Sequence, residues 1–219
     1  MTYIDLTQAL SEDIFQSPMM PPLQITRSHD HDQDGLNISH LSMSTHSGTH
    51  LDAPLHHVVG AEDIASISLD RLIRPAFCLH VAHQGGEEIT AEELEAEAEG
   101  LEVGDMLFLH SGWDAYYRTD HAQYDVHPYL STSAADWIVD RGVGLLGLDV
   151  LTPDAPQGRR PPGFDWPVHH ALLGAGVLIV ENLAHLDLVC GSRFEAWVIP
   201  MPIAGADGAP ARVLARIAS

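Results

Sequence analysis

Lysine is absent from the chain, and all ten basic residues are arginines. Cysteine occurs twice, aromatic residues make up 6% of the chain, and no apolar run approaches the ~20 residues a membrane span needs. Each scarcity removes a class of explanation. Against the ten arginines stand 31 acidic residues, a formal net charge of −21. That balance argues against nucleic acid and anionic membrane as partners. Cys78 and Cys190 are too few for a disulfide framework and lack the pairing of a thiolate zinc site. No G-x-S-x-G elbow offers a serine nucleophile. The opening residues Met1 to Asp5 carry neither a basic n-region nor an apolar h-region, so a cytoplasmic protein without a signal peptide is expected. The acidic, lysine-free composition fits a salt-rich cytoplasm or a GC-rich genome equally, and neither bears on the reaction.

The 219 residues are enough for one sizeable core, and no Pro/Ser-rich linker divides them. A single domain over 1–219 is expected, with an extended arm around 16–22 where Ser17-Pro18-Met19-Met20-Pro21-Pro22 excludes regular structure. The chain holds 15 histidines. They concentrate in His46-Ser47-Gly48-Thr49-His50-Leu51-Asp52-Ala53-Pro54-Leu55-His56-His57, where groups able to hold a metal or move a proton fall at 46, 50, 52 and 56. Imidazole and carboxylate together suit Zn²⁺, and also Mn²⁺, Fe²⁺ or Ni²⁺. Gly48 and Pro54 interrupt a helical reading; in an extended chain the even-numbered positions 46 to 56 share one face.

Strands are expected over 3–6, 37–45, within 69–81, and over 105–110, 144–150, 177–180, 193–203 and 211–217. Thr90 and Glu93 form a capping box for a helix that runs to Glu99, and further helices open at Ser133 and at Pro167. His29 to Gly35 resembles a calcium loop but lacks the distal Glu, and reads as a solvated loop. Residues 152–166 form a long Pro/Gly-rich loop of the kind that is functional or mobile. Helix–strand alternation from 133 to 181 indicates an α/β fold, in which ligands gather at the carboxyl ends of strands, where Glu181 and Asp149 lie. Phe15, Met19 and Trp113 are candidates to contact a substrate; a buried Trp113 with a partner for its indole N–H is an equal reading.

The pattern His46-x-Gly-Thr-His50-x-Asp52-x-Pro-x-His56 resembles that of the cyclase family of metal-dependent hydrolases, which includes bacterial kynurenine formamidases and isatin hydrolases. Asp5-Leu6-Thr7, Ser111-Gly112-Trp113, Gly147-Leu148-Asp149, His169 and Glu181-Asn182-Leu183 extend the resemblance along nearly the whole chain. It implies an α/β domain whose mixed sheet or barrel-like core is flanked by helices, of the swivelling β/β/α type. It also implies metal ligands at His46, His50, Asp52, His169 and Glu181, with His170 the competitor for His169. His56 would be the catalytic acid/base. One or two ions, Zn or Mn, and a homodimer or homotetramer follow from the same resemblance. The family's formamidases carry a Trp in the N-terminal Pro-rich stretch, where this chain has Met19 and Met20.

A bound divalent ion lowers the pKa of water from about 15.7 to about 7, which supplies a nucleophile for a carbonyl at neutral pH. The expected substrate is therefore a small cyclic amide or N-formyl amide, with a cyclic ester as the variant. The rival is a catalytically inert metal- or small-molecule-binding protein on the same scaffold.

Overall fold

The structure, a computed structural model, describes residues 1–217. Twelve strands are found in these residues: β1 Thr2–Asp5, β2 Gln24–His29, β3 Ile38–Ser42, β4 His50–Asp52, β5 Ile73–His80, β6 Glu88–Ile89, β7 Met106–His110, β8 Tyr129–Leu130, β9 Leu145–Leu148, β10 Leu178–Glu181, β11 Arg193–Pro200 and β12 Gly208–Ile217. The helices are α1 His31–Asp34, α2 Leu69–Leu72, α3 Ala91–Glu97, α4 His121–Tyr124, α5 Thr132–Asp140 and α6 Pro167–Gly174. The main sheet runs β1-β12-β11-β5-β7-β9-β10-β4, and β4 also pairs with β12. Seven strands thus close into a mixed barrel, with β1 as a flap on β12. Pairing is parallel across β5, β7, β9 and β10, and antiparallel at β4, β11 and β12.

The apolar strands have two buried faces, as parallel strands covered by helices must. Met106 and Phe108 point into the barrel with Leu145, Leu178, Val180 and Val198; Leu107, Leu109, Leu146, Leu148 and Ile179 point outward, under α5 and α6. The interior is narrow, and Ala76, Ala196, Ala209, Ala211 and Ala215 make room for the larger side chains. Gly147 belongs to this fit: a Cβ there would lie 2.7 Å from Phe108 Cδ1 and 2.9 Å from Leu183 Cδ1. A packed interior places any site outside the barrel.

Several expectations shift by a few residues. The Thr90–Glu93 capping box is present, and its helix ends at Glu97. The last strand begins at Gly208, three residues earlier than expected, because it is paired there with β4. Residues 31–34 form a single helical turn capped by Asp30, exposed throughout. The even-spaced extended reading of 46–56 holds only for His50–Asp52; residues 45–48 turn, and Pro54–His56 is a 3-10 turn begun by the proline. β2 and β3 pair only with each other, and every residue in both is exposed. Among the described residues no helix is long and apolar enough to cross a membrane.

Candidate active site

Register decides what β4 presents. His50 pairs with Glu181, and Asp52 with Ile179. Leu51 and Val180 fill the barrel, so His50, Asp52 and Glu181 lie on its outer face, the side that carries α6. From α6 comes His169. His50 Nε2 stands 3.3 Å from Asp52 Oδ1 and 3.3 Å from Glu181 Oε2; His169 Nε2 stands 3.6 Å from Asp52 Oδ2 and 3.4 Å from Glu181 Oε1. His46 Nδ1 approaches Asp52 Oδ1 at 2.8 Å. All five residues sequence reasoning named as metal ligands therefore converge. His170, the competitor, is exposed on the same helix.

Each side chain has a local reason for its place. Gly48 turns the chain at φ +70°, and a Cβ there would meet Leu10 Cδ2 at 2.5 Å. The turn is clamped by Asn182, whose amide donates to Gly48 O at 3.0 Å and whose side-chain oxygen accepts from the Tyr124 hydroxyl at 2.8 Å. Asn182 itself sits at φ +56°, a conformation Asn tolerates better than most residues. His50 Nδ1 donates to Gly48 O at 2.9 Å, which leaves Nε2 facing the carboxylates. Asp154 holds His169: its carboxylate accepts from His169 Nδ1 at 2.6 Å and from the backbone N–H groups of Val168 and His169 at the start of α6. That bond fixes the tautomer and turns Nε2 toward Asp52 and Glu181.

His56 follows Pro54 and stacks on His46, ring centres 4.1 Å apart. Asp207 joins the two: its Oδ2 accepts from His46 Nε2 at 3.0 Å and from His56 Nδ1 at 3.2 Å. His57 stacks on His169 at 4.7 Å. His56 is close enough to His46 and Asp52, and to His57 and His169, to act as a ligand as well as a base.

The charges are strongly coupled. Burial opposes protonation of His46, His50 and His169, but the Asp52 carboxylate raises His46 to about 9 and His50 to about 10, and the hydrogen bond to Asp154 with the nearby carboxylates of Asp52 and Glu181 raises His169 well above 6.5. Burial would raise Asp52, yet the neighbouring imidazoles hold it well below the usual carboxylate range. His57 is pulled down to about 4 by burial and then by His169, and burial lowers His56 as well. Two buried carboxylates thus demand positive charge, which protons on three imidazoles supply when nothing else does.

A cleft of about 280 Å³ opens onto this cluster. His46, His56, His57, His169 and Glu181 line it together with Phe15, Met19, Met20, Arg160 and Trp166. Phe15 and Met19 thus line the cleft. Trp113 does not: it is buried in the core between sheet and helices, and its indole N–H donates to Gln123 O at 3.2 Å. Asp149 is likewise a clasp, accepting from Ser111 N, Ser111 Oγ and Gly112 N while burial pushes it up to about 6.

The Cyclase family model matches residues 4–155. The kynurenine formamidase of Geobacillus thermodenitrificans (strain NG80-2) is 30% identical over 217 residues, 98% of this chain and 97% of that one. The chain belongs to the cyclase family of metal-dependent hydrolases. Kynurenine formamidase of Bacillus mycoides (strain KBAB4) is also 30% identical, over 98% of this chain and 97% of its own. Isatin hydrolase A from Ralstonia solanacearum shares the fold, with a TM-score of 0.87 over 98% of this chain and 91% of that one at 24% identity. A predicted metal-dependent hydrolase from Bacillus stearothermophilus superposes with a TM-score of 0.78 at 26% identity, over 98% of this chain and 97% of its own. As a cyclase-family member the chain is a hydrolase, and the His/Asp/Glu cluster is its candidate site for a divalent metal.

Sequence reasoning missed Asp154, Asp207, Arg160 and Trp166. Asp207 lies 161 residues from His46 and Asp154 lies in the long loop, so no spacing signal connected either to the motif.

Proposed function

We propose that this chain hydrolyses the C–N bond of a small amide, either an aryl formamide or a cyclic amide of the isatin type, with a divalent metal held by His46, His50, Asp52, His169 and Glu181. One observation carries the reading. His50 Nε2, Asp52 Oδ2 and Glu181 Oε1 are buried, converge on one another, and have no hydrogen-bond partner. Orphaned donors and acceptors of this kind are costly unless something satisfies them, and a cation does so for all three at once. The donor set of imidazoles and carboxylates suits Zn or Mn, as one ion or two.

A divalent ion supplies an activated water there, and positive charge for the carbonyl oxygen. The chain does the rest. His56 is kept neutral by burial and so can accept a proton at pH 7. Asp207 holds the proton on its Nδ1, which leaves Nε2 as the basic nitrogen. His56 then returns that proton to the leaving nitrogen, a task worth roughly 10²–10⁴-fold. Phe15, Met19 and Trp166 enclose a flat substrate, and their apolar surfaces keep bulk water from the carbonyl. Two free thiols suit the reducing cytoplasm, where we place the enzyme.

The test is elemental analysis of the purified protein together with turnover of formanilide, isatin and a benzolactone, before and after chelation. Metal-dependent release of formate or ring opening supports the reading. Bound metal with no turnover of any member would make the chain an inert binding protein, and turnover of the lactone alone an esterase.

A further inference from the structure

A second group of metal-binding side chains lies at one end of the barrel. β5 and β7 are parallel neighbours, in a register that sets His80 beside His110 at their carboxyl ends. The two histidines continue the inward-facing alternation of Ala76, Cys78, Met106 and Phe108, which puts them at the mouth of the barrel. Their Nδ1 atoms are 3.3 Å apart and their ring centres 5.3 Å apart. Cys190 reaches the same place from another part of the chain. The 3-10 turn Leu186–Leu188 buries Leu186 in the barrel cluster together with Val189. The residues that follow are tied to β5: Gly191 N donates to Cys78 O at 2.9 Å, and Cys78 N donates to Ser192 O at 3.4 Å. A ring nitrogen of each histidine and the Cys190 thiol thereby all lie within 4.8 Å of one another. None of the three is among the residues that line the cleft. Cysteine spacing predicts no thiolate zinc site, but the fold completes one with histidines from two strands.

Two imidazoles and a thiolate suit a borderline ion of the zinc type, and they disfavour the hard ions that take oxygen ligands. The separation fits as well. In a tetrahedral site with Zn–N bonds of about 2.0–2.1 Å, two ligand nitrogens stand about 3.3–3.4 Å apart. We propose that His80, His110 and Cys190 form a second metal site, which takes a zinc-type ion and leaves its fourth position to water. Burial raises the Cys190 thiol, so that it is protonated until an ion arrives. The ion takes the thiolate, and the thiol proton leaves to solvent. His80 is exposed while His110 and Cys190 are half-buried, which gives the ion a path in. Once bound, it ties the turn at 189–192 to the ends of β5 and β7. The site is independent of the amidohydrolase reading. Its thiolate also distinguishes it from the cluster in the cleft, which offers only imidazole and carboxylate.

Co²⁺ is the probe, because a thiolate ligand gives it a sulfur-to-metal charge-transfer band that nitrogen and oxygen donors do not. Cys78 and Cys190 are the only cysteines, so no other residue can produce the band. The full chain is stripped by chelation, kept reduced with a phosphine, titrated with Co²⁺ and then challenged with Zn²⁺. Wild type is expected to develop the band and to lose it to Zn²⁺. Cys190→Ser should lack it, and should hold less zinc per chain than wild type by elemental analysis. Cys78→Ala and Asp52→Ala should both keep it. His80→Gln and His110→Gln retain the thiol, yet each should weaken Co²⁺ at this site at least about tenfold, since even loss of a supporting hydrogen bond weakens a metal site about 10–100-fold. Circular dichroism establishes that each variant is folded. No band in wild type overturns the proposal. So does a band that survives in Cys190→Ser, or one that titrates alike in wild type and both histidine variants. Amide turnover by a chain that shows no band defeats this site and leaves the hydrolase reading standing.

Discussion

Asp154→Asn tests whether the cluster is organised to hold a metal. Asp154 is 1% exposed and receives three N–H groups: Val168 N at 3.0 Å on Oδ1, and His169 N at 3.1 Å and His169 Nδ1 at 2.6 Å on Oδ2. An amide retains one acceptor and puts an NH₂ where the second oxygen was. If its carbonyl faces His169, the Val168 N–H is orphaned; if it turns, His169 Nδ1 meets a donor. Either way one buried donor is stranded, which costs about 1–3 kcal/mol of stability. The loss of the carboxylate also lowers the basicity of the imidazole, and a change of this type lowers metal affinity about 10–100-fold. Asp149→Asn is the matched control: Asp149 is also 1% exposed and accepts from three donor groups, none on a histidine. It should lose similar stability in urea unfolding of the chelated protein. In competition with a chromophoric chelator, however, its metal affinity should stay at the wild-type value. Equal losses of affinity in both variants, or none in Asp154→Asn, would refute the assignment of His169 as a ligand oriented by Asp154.

His56→Ala should keep its metal and lose roughly 10²–10⁴-fold in turnover; loss of metal in step with rate would make His56 a ligand and move the base to His57. His127 is fully buried, donates through Nδ1 to Pro128 O at 3.0 Å, and is pulled down to about 4 by burial. The unfolded chain binds its proton near ~6.5, so His127 lowers stability by up to about 3 kcal/mol as pH falls from about 6.5 to about 4. Replacing it with Gln should flatten the stability–pH curve over that window, and parallel curves would contradict the assignment. Gly147→Ala should cost about 1–3 kcal/mol through overpacking against Phe108 and Leu183, read as a lower urea midpoint at unchanged m-value. For the proposed homo-oligomer, the exposed β2–β3 pair is the surface to change, since a lone hairpin is marginal without something packed on it. Ile25→Asp with Leu41→Asp should yield monomers by light scattering at high ionic strength, where repulsion between chains of charge −21 is screened; an unchanged oligomer would place the interface elsewhere.

The sequence made the alternation of helices and strands legible because its central strands are apolar on both faces and its helices carry start signals: the capping box at Thr90, the serines before α5, where the cap is Ser131 and not the expected Ser133, and Pro167 in the first turn of α6. The candidate metal ligands were legible because three of them, His46, His50 and Asp52, lie within seven residues, and because the family pattern reaches His169 and Glu181. Barrel closure was not, since it depends on β12 pairing with β4 over three residues and with β11 over the next six, a change of partner that no periodicity encodes. Trp113 illustrates the limit of position alone. It follows a strand end, as site residues do, but the turn after β7 directs it back under the helices, where Gln123 O accepts its N–H.

Asp154, Asp207 and Arg160 share a reason for having been hidden. Asp154 and Asp207 act through histidines 15 and 161 residues away in the chain, Arg160 touches only its own loop, and each sits in a turn or loop whose composition records only irregular backbone. The 152–166 loop shows what that irregularity achieves. Asp154 at its start caps α6 and orients His169; Arg160 and Trp166 further on form the cleft wall. One segment thus couples the direction of a metal ligand to the shape of the space beside it. A substitution that loosens the loop should then change metal affinity and ligand selectivity together, whereas Asp52 or Glu181, anchored on strands, should affect the metal alone. Benzamide and metal affinities measured on the same Pro161→Gly variant separate these cases. A parallel fall in both supports the coupling, and a fall in benzamide binding alone would show that α6 holds His169 without help from the loop.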